Sequence, residues 1–416
     1  MKHIRAVKRI LLLMKSESYR APDFIAAAGK LGVDLVVGSD KPSVLAEFRP
    51  RSTLELNFQD VEDGARAAAE FHLEQPLDGV VAVEDEGTVL ASRVAARLRL
   101  PANPEESAVA SRNKFMFREI TSTAGIAAPW FRKFPVSSDP HQVAQQIPYP
   151  CVLKPLFLSA GRGVIRADNQ DEFVAAFSRI TKLLRDPEIM AAGGEDAQWL
   201  LVESFIPGAE VSLEGMLEEG KFKLLAFMDK PDPLDGPYFE ETLLVTPSRH
   251  PIAIQQAAEA EAQAAVTALG LRTGAIHVEM RIEAGHPVLL EVAPRSIGGH
   301  CSRILTFSTG LSLEELILMK AVGGFPGEVQ REQRAAGVMM IPIPGKGKLQ
   351  SVTGIEDARA VPGIEDVEIT IPVSQPVVPL PEGHRYLGFI FAKGDLPQTV
   401  ERALRQAHGE LRFRIG

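Results

Sequence analysis

The sequence predicts a mixed α/β protein in three parts: an N-terminal βαβ domain, a central α+β region and a β-rich tail. Three observations carry this. Over residues 1 to about 110, short apolar runs alternate with helical patterns, the order that gives a parallel sheet covered by helices. From about 111 to 325, strands come in pairs around glycine- and proline-containing turns, with helices between them. Beyond "LSLEELILMKAVGG" the last ~85 residues are rich in strands and turns and look like a small appendage. A length of 416 residues, 45% hydrophobic, allows two or three domains with ample core.

In the first part "RILLLM" reads as a strand and "APDFIAAAGKLG" as a helix ending at Gly32. "VDLVVGS" is a second strand, "VEDGARAAAEFHLEQP" a helix, "LDGVVAVED" a third strand and "GTVLASRVAARLRL" another helix. No G-x-G-x-x-G follows the first strand, so a dinucleotide fingerprint is absent. "PANPEESAVASRNK" reads as a boundary loop leading into a helix at "SRNKFMFREI".

Bulk properties remove several function classes. A formal charge of −9 and no basic run argue against a nucleic-acid partner. No apolar run approaches the ~20 residues of a membrane span, and "RILLLMK" lacks a signal-peptide cleavage site. Two cysteines, Cys151 and Cys301, imply no disulfide framework. A cytoplasmic, reducing location is expected.

The segment "GAIHVEMRIEAGHPVLLEVAPR" raises a sharper question. Ile276, Val278, Met280 and Ile282 alternate with His277, Glu279 and Arg281, the period-2 pattern of a half-buried strand. A hairpin with a three-residue loop, Ala284 to His286, puts Glu279 opposite Glu291 and keeps the apolar faces matched. A two-residue loop would face Glu279 with Leu290 and scramble both faces. Facing carboxylates destabilise a ladder unless something neutralises them. Either the face is simply solvated, or the pair holds a divalent cation through hard oxygen ligands.

Two further motifs bear on that choice. "CVLKPLFLSAGRGV" sets Lys154 at the end of an apolar strand, followed by a loop with Ser159, Gly161 and Gly163. Glycines let backbone N–H groups wrap a phosphate, and the lysine supplies charge. It is not a Walker A motif. "LVESFIPGAEVSLEGM" sets Glu203 and Glu210 seven residues apart around a turn. Each motif alone is also what a plain hairpin with surface charges looks like.

Taken in order, Lys114, Lys154 with its glycine loop, Glu203, Glu210, Glu279, Glu291 and Arg295 resemble the ATP-grasp family. The resemblance covers roughly residues 111 to 325, and the region before it is similar to the Rossmann-like domain that usually precedes this fold. It implies an N-terminal domain over 1–110 and an ATP-grasp domain over 111–325. The latter divides into a glycine-loop lid at about 120–205 and a metal-site part at about 206–325, and a β-rich subdomain follows over 326–416. It also implies ATP and Mg²⁺, or Mn²⁺ in its place, as cofactors. Lys114 and Lys154 would contact the α- and β-phosphates, and Ser159 to Gly163 would cover the transferable phosphate. Glu203 and the backbone near Phe205 would hold adenine, Glu210 the ribose, and Glu279 and Glu291 the metal. Arg295 would stabilise the phosphoryl group in transfer. The family's E-x-N-x-R is E-V-A-P-R here, so Ala293 replaces an asparagine that commonly ligates a second metal.

"FMDKPDPLDGPYFEETLLVTPSRHP", "HVEM" and "RSIGGHCSR" resemble the L-amino-acid ligase branch. That resemblance implies a carboxylate–amine ligase acting through an acylphosphate on small-molecule substrates. Lys230 would lie near the phosphates and Arg303 near a substrate carboxylate or the acylphosphate. His277 would orient substrate, take the amine's proton, or simply pack beside the metal shell. Relatives are often dimers, so a homodimer is among the expectations. Two other outcomes stay open: a carboxylase working through carboxyphosphate, and an ATP-binding protein without turnover, which Ala293 favours.

Overall fold

The computed structural model describes residues 7–41 and 52–416. The N-terminal part contains β1 (Arg9–Leu13), α1 (Ala21–Leu31), β2 (Asp34–Ser39), β3 (Thr53–Glu55), α2 (Val61–Glu74), β4 (Gly79–Ala82) and α3 (Thr88–Leu98). Its strands form a parallel sheet in the order β3-β2-β1-β4. Ile10 to Leu13 are all fully buried, because helices cover both faces. Ile10 and Leu12 pack with Phe24 on one side, and Leu11 and Leu13 with Ala65, Leu90 and Val94 on the other. Gly32 closes α1 at φ 64°, the left-handed cap that glycine adopts without strain. The expected boundary loop is instead partly helical: α4 (Glu105–Arg112) starts after Pro104, with Glu105 and Glu106 at its positive N-terminus.

The lid follows, with α5 (Lys114–Thr123), β5 (Phe131–Pro135), α6 (Pro140–Ala144), β6 (Cys151–Pro155), β7 (Ile165–Ala167), α7 (Gln170–Leu184), α8 (Pro187–Gly193) and β8 (Trp199–Ser204). Its antiparallel sheet runs β5-β8-β6-β7. Val152 sits opposite Glu203 and Lys154 opposite Leu201, so Lys154 and Glu203 are diagonal neighbours on one face.

The remainder contains β9 (Ala209–Glu218), β10 (Lys221–Asp229), β11 (Leu243–Thr246), α9 (Ile252–Leu269), β12 (Gly274–Glu283), β13 (His286–Ala293), β14 (Thr306–Phe307), β15 (Leu311–Ser312) and α10 (Leu313–Ala321). The tail adds β16 (Ala335–Ile341), β17 (Gly347–Thr353), α11 (Ile355–Arg359), β18 (Ile364–Ile369), β19 (Pro376–Val377), β20 (Gly388–Gly394), α12 (Pro397–Glu410) and β21 (Arg412–Ile415). The tail is not set apart. β16, β20 and β18 continue the sheet that holds the hairpin, giving an eight-stranded order β13-β12-β9-β10-β11-β16-β20-β18. The junction is β11 paired with β16, so the tail's apolar strands complete a shared core with Leu243 and Val245. The amphipathic α12 covers this part of the sheet through Val400, Ala403, Leu404 and Ala407.

The β12–β13 hairpin pairs Glu279 with Glu291, as the alternation required, but by another route. The turn has two residues, Ala284 and Gly285, both at positive φ (49° and 87°), as a tight hairpin turn demands. Glu283 therefore faces His286, and Met280 faces Leu289. A β-bulge between Glu279 and Met280 then inserts one extra residue in β13 and restores the register. Ile276, Val278, Met280 and Ile282 pack under α9 with Leu289 and Val292. Leu290 and Glu291, adjacent in sequence, both line the cavity on the opposite side.

Candidate active site

A cavity of about 390 Å³ lies where the N-terminal domain, the lid, the long sheet and the tail meet. Lys114, Lys154, Ser159, Gly161, Glu203, Phe205, Glu210, His277, Glu279, Glu291 and Arg295 all line it. Thus eleven of the fourteen expected site residues converge, although they are spread along the chain from Lys114 to Arg295. Lys230, Gly163 and Arg303 lie outside the wall.

On the lid side, Asn113 caps α5 by accepting from the N–H groups of Phe115 and Met116, which sets Lys114 at the helix start. Lys114 Nζ donates to the Leu158 carbonyl at 2.7 Å and stands 3.6 Å from Glu291. Lys154 is ion-paired with Glu203. Arg118, one turn after Lys114 and 1% exposed, donates to both Glu203 oxygens at 2.9 and 3.2 Å and to the Leu289 carbonyl at 2.7 Å. Burial would push the Glu203 carboxyl up, but Arg118 and Lys154 outweigh it and hold it at about 2. Burial pulls the Lys154 ammonium below its usual range despite Glu203. Glu203 therefore grips Lys154 between strands and does not stand free for a base. The Phe205 N–H is likewise engaged, donating to the Pro150 carbonyl at 3.0 Å. The Phe205 ring stacks near Phe239 at 6.3 Å between centroids, with the guanidinium groups of Arg166 and Arg281 at 4.1 and 5.0 Å.

The glycine loop bends sharply, with Ala160, Gly161 and Gly163 all at positive φ. At Gly163 a Cβ would also meet Pro155 Cγ at 2.8 Å, so glycine is required there twice over. Gly163 faces away from the cavity and donates its N–H to the Pro381 carbonyl at 2.8 Å.

On the sheet side, β9 and β12 bring a polar face to the cavity: His277 opposite Glu214, Glu279 opposite Ser212, and Arg281 opposite Glu210. Lys230 lies behind it and donates to Glu210 at 2.7 Å and to Glu241 and Glu279 at 2.8 Å. Burial would lower the Lys230 ammonium, but the three carboxylates hold it well above its usual range. Burial raises Glu241 to about 7, against the pull of Lys230. At Glu279 the burial effect is outweighed by Lys230 and His277, which hold that carboxyl well below its usual range. One oxygen from each of Glu210, Glu241 and Glu279 lies within 4.8 Å of the others. With Glu291 across the ladder, this hard-oxygen set fits a divalent cation, and the lid lysines fit a polyphosphate.

His277 contacts Glu214 at 3.0 Å and Glu279 at 3.4 Å. Burial alone would lower it, but these two carboxylates raise the imidazole to about 9. Both of its ring nitrogens face a carboxylate. Directly opposite it on β13 stands Ala293, whose short side chain leaves room for the ring. Arg295 lines the cavity while paired to both oxygens of Asp85, at 2.9 and 2.7 Å. Arg303 does not reach the site. Asp23 at 3.0 Å and Glu368 at 2.5 Å hold it between α1 and β18.

Sequence reading missed Arg118, Asp85, Glu214 and Glu241. Asp85 carried a legible signal: it follows the third strand of a parallel sheet, at the carboxyl end where such sheets build sites. Arg118 carried a fainter one, four residues after Lys114 on the same helical face.

Three family models match the chain: the ATP-grasp N-terminal domain over 25–102, the ATP-grasp domain over 147–304, and L-amino acid ligase C-terminal domain 2 over 339–416. Residues 147–304 thus match an ATP-grasp domain, preceded by an ATP-grasp N-terminal domain and followed by an L-amino acid ligase C-terminal domain. The chain superposes on an L-amino acid ligase from Bacillus licheniformis with a TM-score of 0.80 at 24% identity, covering 98% of this chain and 99% of that structure. A carboxyaminoimidazole ribonucleotide synthase from Aspergillus clavatus, solved with ATP, gives 0.72 at 18% identity over 98% and 99%. The alanine–anticapsin ligase of Bacillus amyloliquefaciens is 26% identical over 238 residues, 53% of this chain and 49% of that protein. Human carnosine synthase 1 is 26% identical over 322 residues, 72% of this chain and 38% of that one. The chain thus spans half or less of these two ligases. "Uncharacterized protein y4rH" of Sinorhizobium fredii is 23% identical over 96% of this chain and 82% of its own. Among the described residues no helix is long and apolar enough to cross a membrane.

Proposed function

We propose that this protein is an ADP-forming carboxylate–amine ligase that joins an amino acid, or a related small carboxylate, to an amine. The observation that carries the reading is Glu279 facing Glu291 at the wall of a cavity that also gathers Lys114, Lys154 and the glycine loop. The kinship with the alanine–anticapsin ligase and carnosine synthase supports the choice of an amine acceptor.

In this reading a carboxylate oxygen of the first substrate takes the terminal phosphoryl group of ATP, and ADP leaves. The amine nitrogen of the second substrate attacks the acylphosphate carbon, loses a proton and expels phosphate. Lys114 and Lys154 hold the phosphate chain by charge, and the Ser159–Gly163 loop covers it and excludes water that would hydrolyse the acylphosphate. Glu279 and Glu291 would hold magnesium, which neutralises charge on the phosphate oxygens. Lys230 and His277 keep the Glu279 carboxylate ionised and oriented. Arg295, steadied by Asp85, faces the group in transfer.

The test is ATP-dependent phosphate release with Mg²⁺ across pairs of amino acids, with and without bicarbonate, and products weighed by mass spectrometry. Release that needs a pair, with a product one water lighter than their sum, is expected. Release driven by bicarbonate would place the protein with the carboxylases. ATP binding with no release under any condition would remove the enzymatic reading.

A further inference from the structure

Part of the cavity wall comes from outside the lid and the hairpin. It is formed by the β1–α1 connection (Tyr19), the turn after β4 (Glu84) and the tail loop before β20 (His384, Arg385, Tyr386). The cations of the wall differ in one respect. Lys15 is 2.7 Å from Asp40, Arg20 3.3 Å from Glu314, Arg281 3.2 Å from Glu210 and Arg295 2.7 Å from Asp85. Lys154 holds Glu203, Lys114 leans on Glu291, and His277 lies between two carboxylates. Arg385 is exposed to the cavity and, among the described residues, has no ion-pair or hydrogen-bond partner. Its charge bears on Tyr19 and on His384. An anion entering the cavity therefore finds one guanidinium whose charge is not already neutralised by the protein.

The loop that carries Arg385 is also gripped by the lid. The Pro381 carbonyl accepts from Gly163 N–H and the Glu382 carbonyl from Arg162 Nε, each at 2.8 Å. The Glu382 carboxylate takes both arms of Arg179, at 2.5 and 2.9 Å. A ligand held by Arg385 is thus enclosed by the same loop that ties down the glycine segment.

We propose that Arg385 binds the unreacted carboxylate of the acceptor amine, making it a specificity-determining residue. This rests on the ligase reading above. The donor's carboxylate has to lie at the phosphate end, where it reacts. The acceptor brings only its nitrogen to that point, so its own acid group needs a separate cation. Arginine suits this role because its planar fork bonds a carboxylate through two N–H groups at once.

The experiment compares, for wild type, Arg385→Ala and Arg385→Lys, the KM of an amino-acid acceptor with that of its primary amide, L-alanine and L-alaninamide serving as the first pair. Arg385→Ala should raise the KM for the acid roughly 10- to 100-fold, the size of a lost charge-assisted pair, while the KM for the amide moves little. Arg385→Lys should recover part of the loss. Equal losses for acid and amide, or none, would overturn the assignment, as would a loss seen only with donors bearing a second acid group. If the wild-type protein formed no amide with any amine, the ligase reading itself would fail, a result distinct from unchanged selectivity in an active enzyme.

Discussion

Two buried charge clusters border the cavity, and they are built differently. In the lid, two cations, Arg118 and Lys154, close on one carboxylate, Glu203. In the long sheet, three carboxylates, Glu210, Glu241 and Glu279, close on one ammonium, Lys230. Burying a charge is costly unless it is paired, and each cluster is paired in its own way. The lid cluster carries one cation more than it has carboxylates, while in the sheet Arg281 on Glu210 and His277 on Glu279 join Lys230 in balancing the three acids. In the proposed reaction the first would face a polyphosphate and the second its metal.

The contrast can be broken most severely at Arg118. Arg118→Ala leaves Glu203 with one partner and strands the Leu289 carbonyl, so stability should drop by about 3–5 kcal/mol in urea unfolding. Lys154→Ala keeps the Arg118–Glu203 pair and should cost far less stability while sharply raising the ATP requirement. Equal stability losses in the two variants would show that the lid cluster is not hierarchical.

On the other side, Glu279→Gln and Glu291→Gln should each lower turnover roughly 10²- to 10³-fold, with the melting temperature nearly kept in Glu291→Gln, whose carboxylate is held, among the described residues, only by Lys114. Full activity in both would remove the metal assignment.

The next effect is pH-dependent. Glu203 titrates at about 2 when folded against 4.5 ordinarily, so its stabilising contribution is whole above about pH 4.5 and is lost as pH falls towards 2. The difference is on the order of 3 kcal/mol. The stability gap between wild type and Glu203→Gln, measured by urea melts from pH 7 to pH 3, should close on the acid side. A gap that widened in acid would contradict the sign.

Ligand addition probes both clusters together. ATP with Mg²⁺ at about 100 times the Kd should stabilise the fold by about 2.7 kcal/mol, with chelation reversing most of it. ATP alone should do less, since the carboxylates then lack their counter-ion. The smallest effect is expected at Ala293. Ala293→Asn restores one neutral donor beside His277 and should shift the magnesium requirement by no more than about fivefold, near 1 kcal/mol. A larger shift would mean that this position, not the Glu279/Glu291 pair, controls metal binding.

Much of this is legible in the sequence. Period-2 alternation placed Glu279 and Glu291 on one face, because the wrong register would have buried charges and exposed apolar residues. The βαβ order of the first domain followed from continuous apolar runs, which only a sheet covered on both faces can bury. The glycine loop, its lysine and the acidic strand after it were readable because phosphate binding needs flexible backbone and local charge.

Tertiary structure decided the rest. The hairpin reached its pairing through a two-residue turn and a bulge at Leu290, two local choices whose sum the pattern could not separate from a three-residue loop. Arg118 meets Glu203 across 85 positions, and Asp85 meets Arg295 across 210, pairings that no spacing rule connects. The tail strands joined the long sheet because β11 offers them an open edge, and an edge is invisible in one dimension. Periodicity determines which face a side chain takes; only the assembled fold decides which distant charge it finds there.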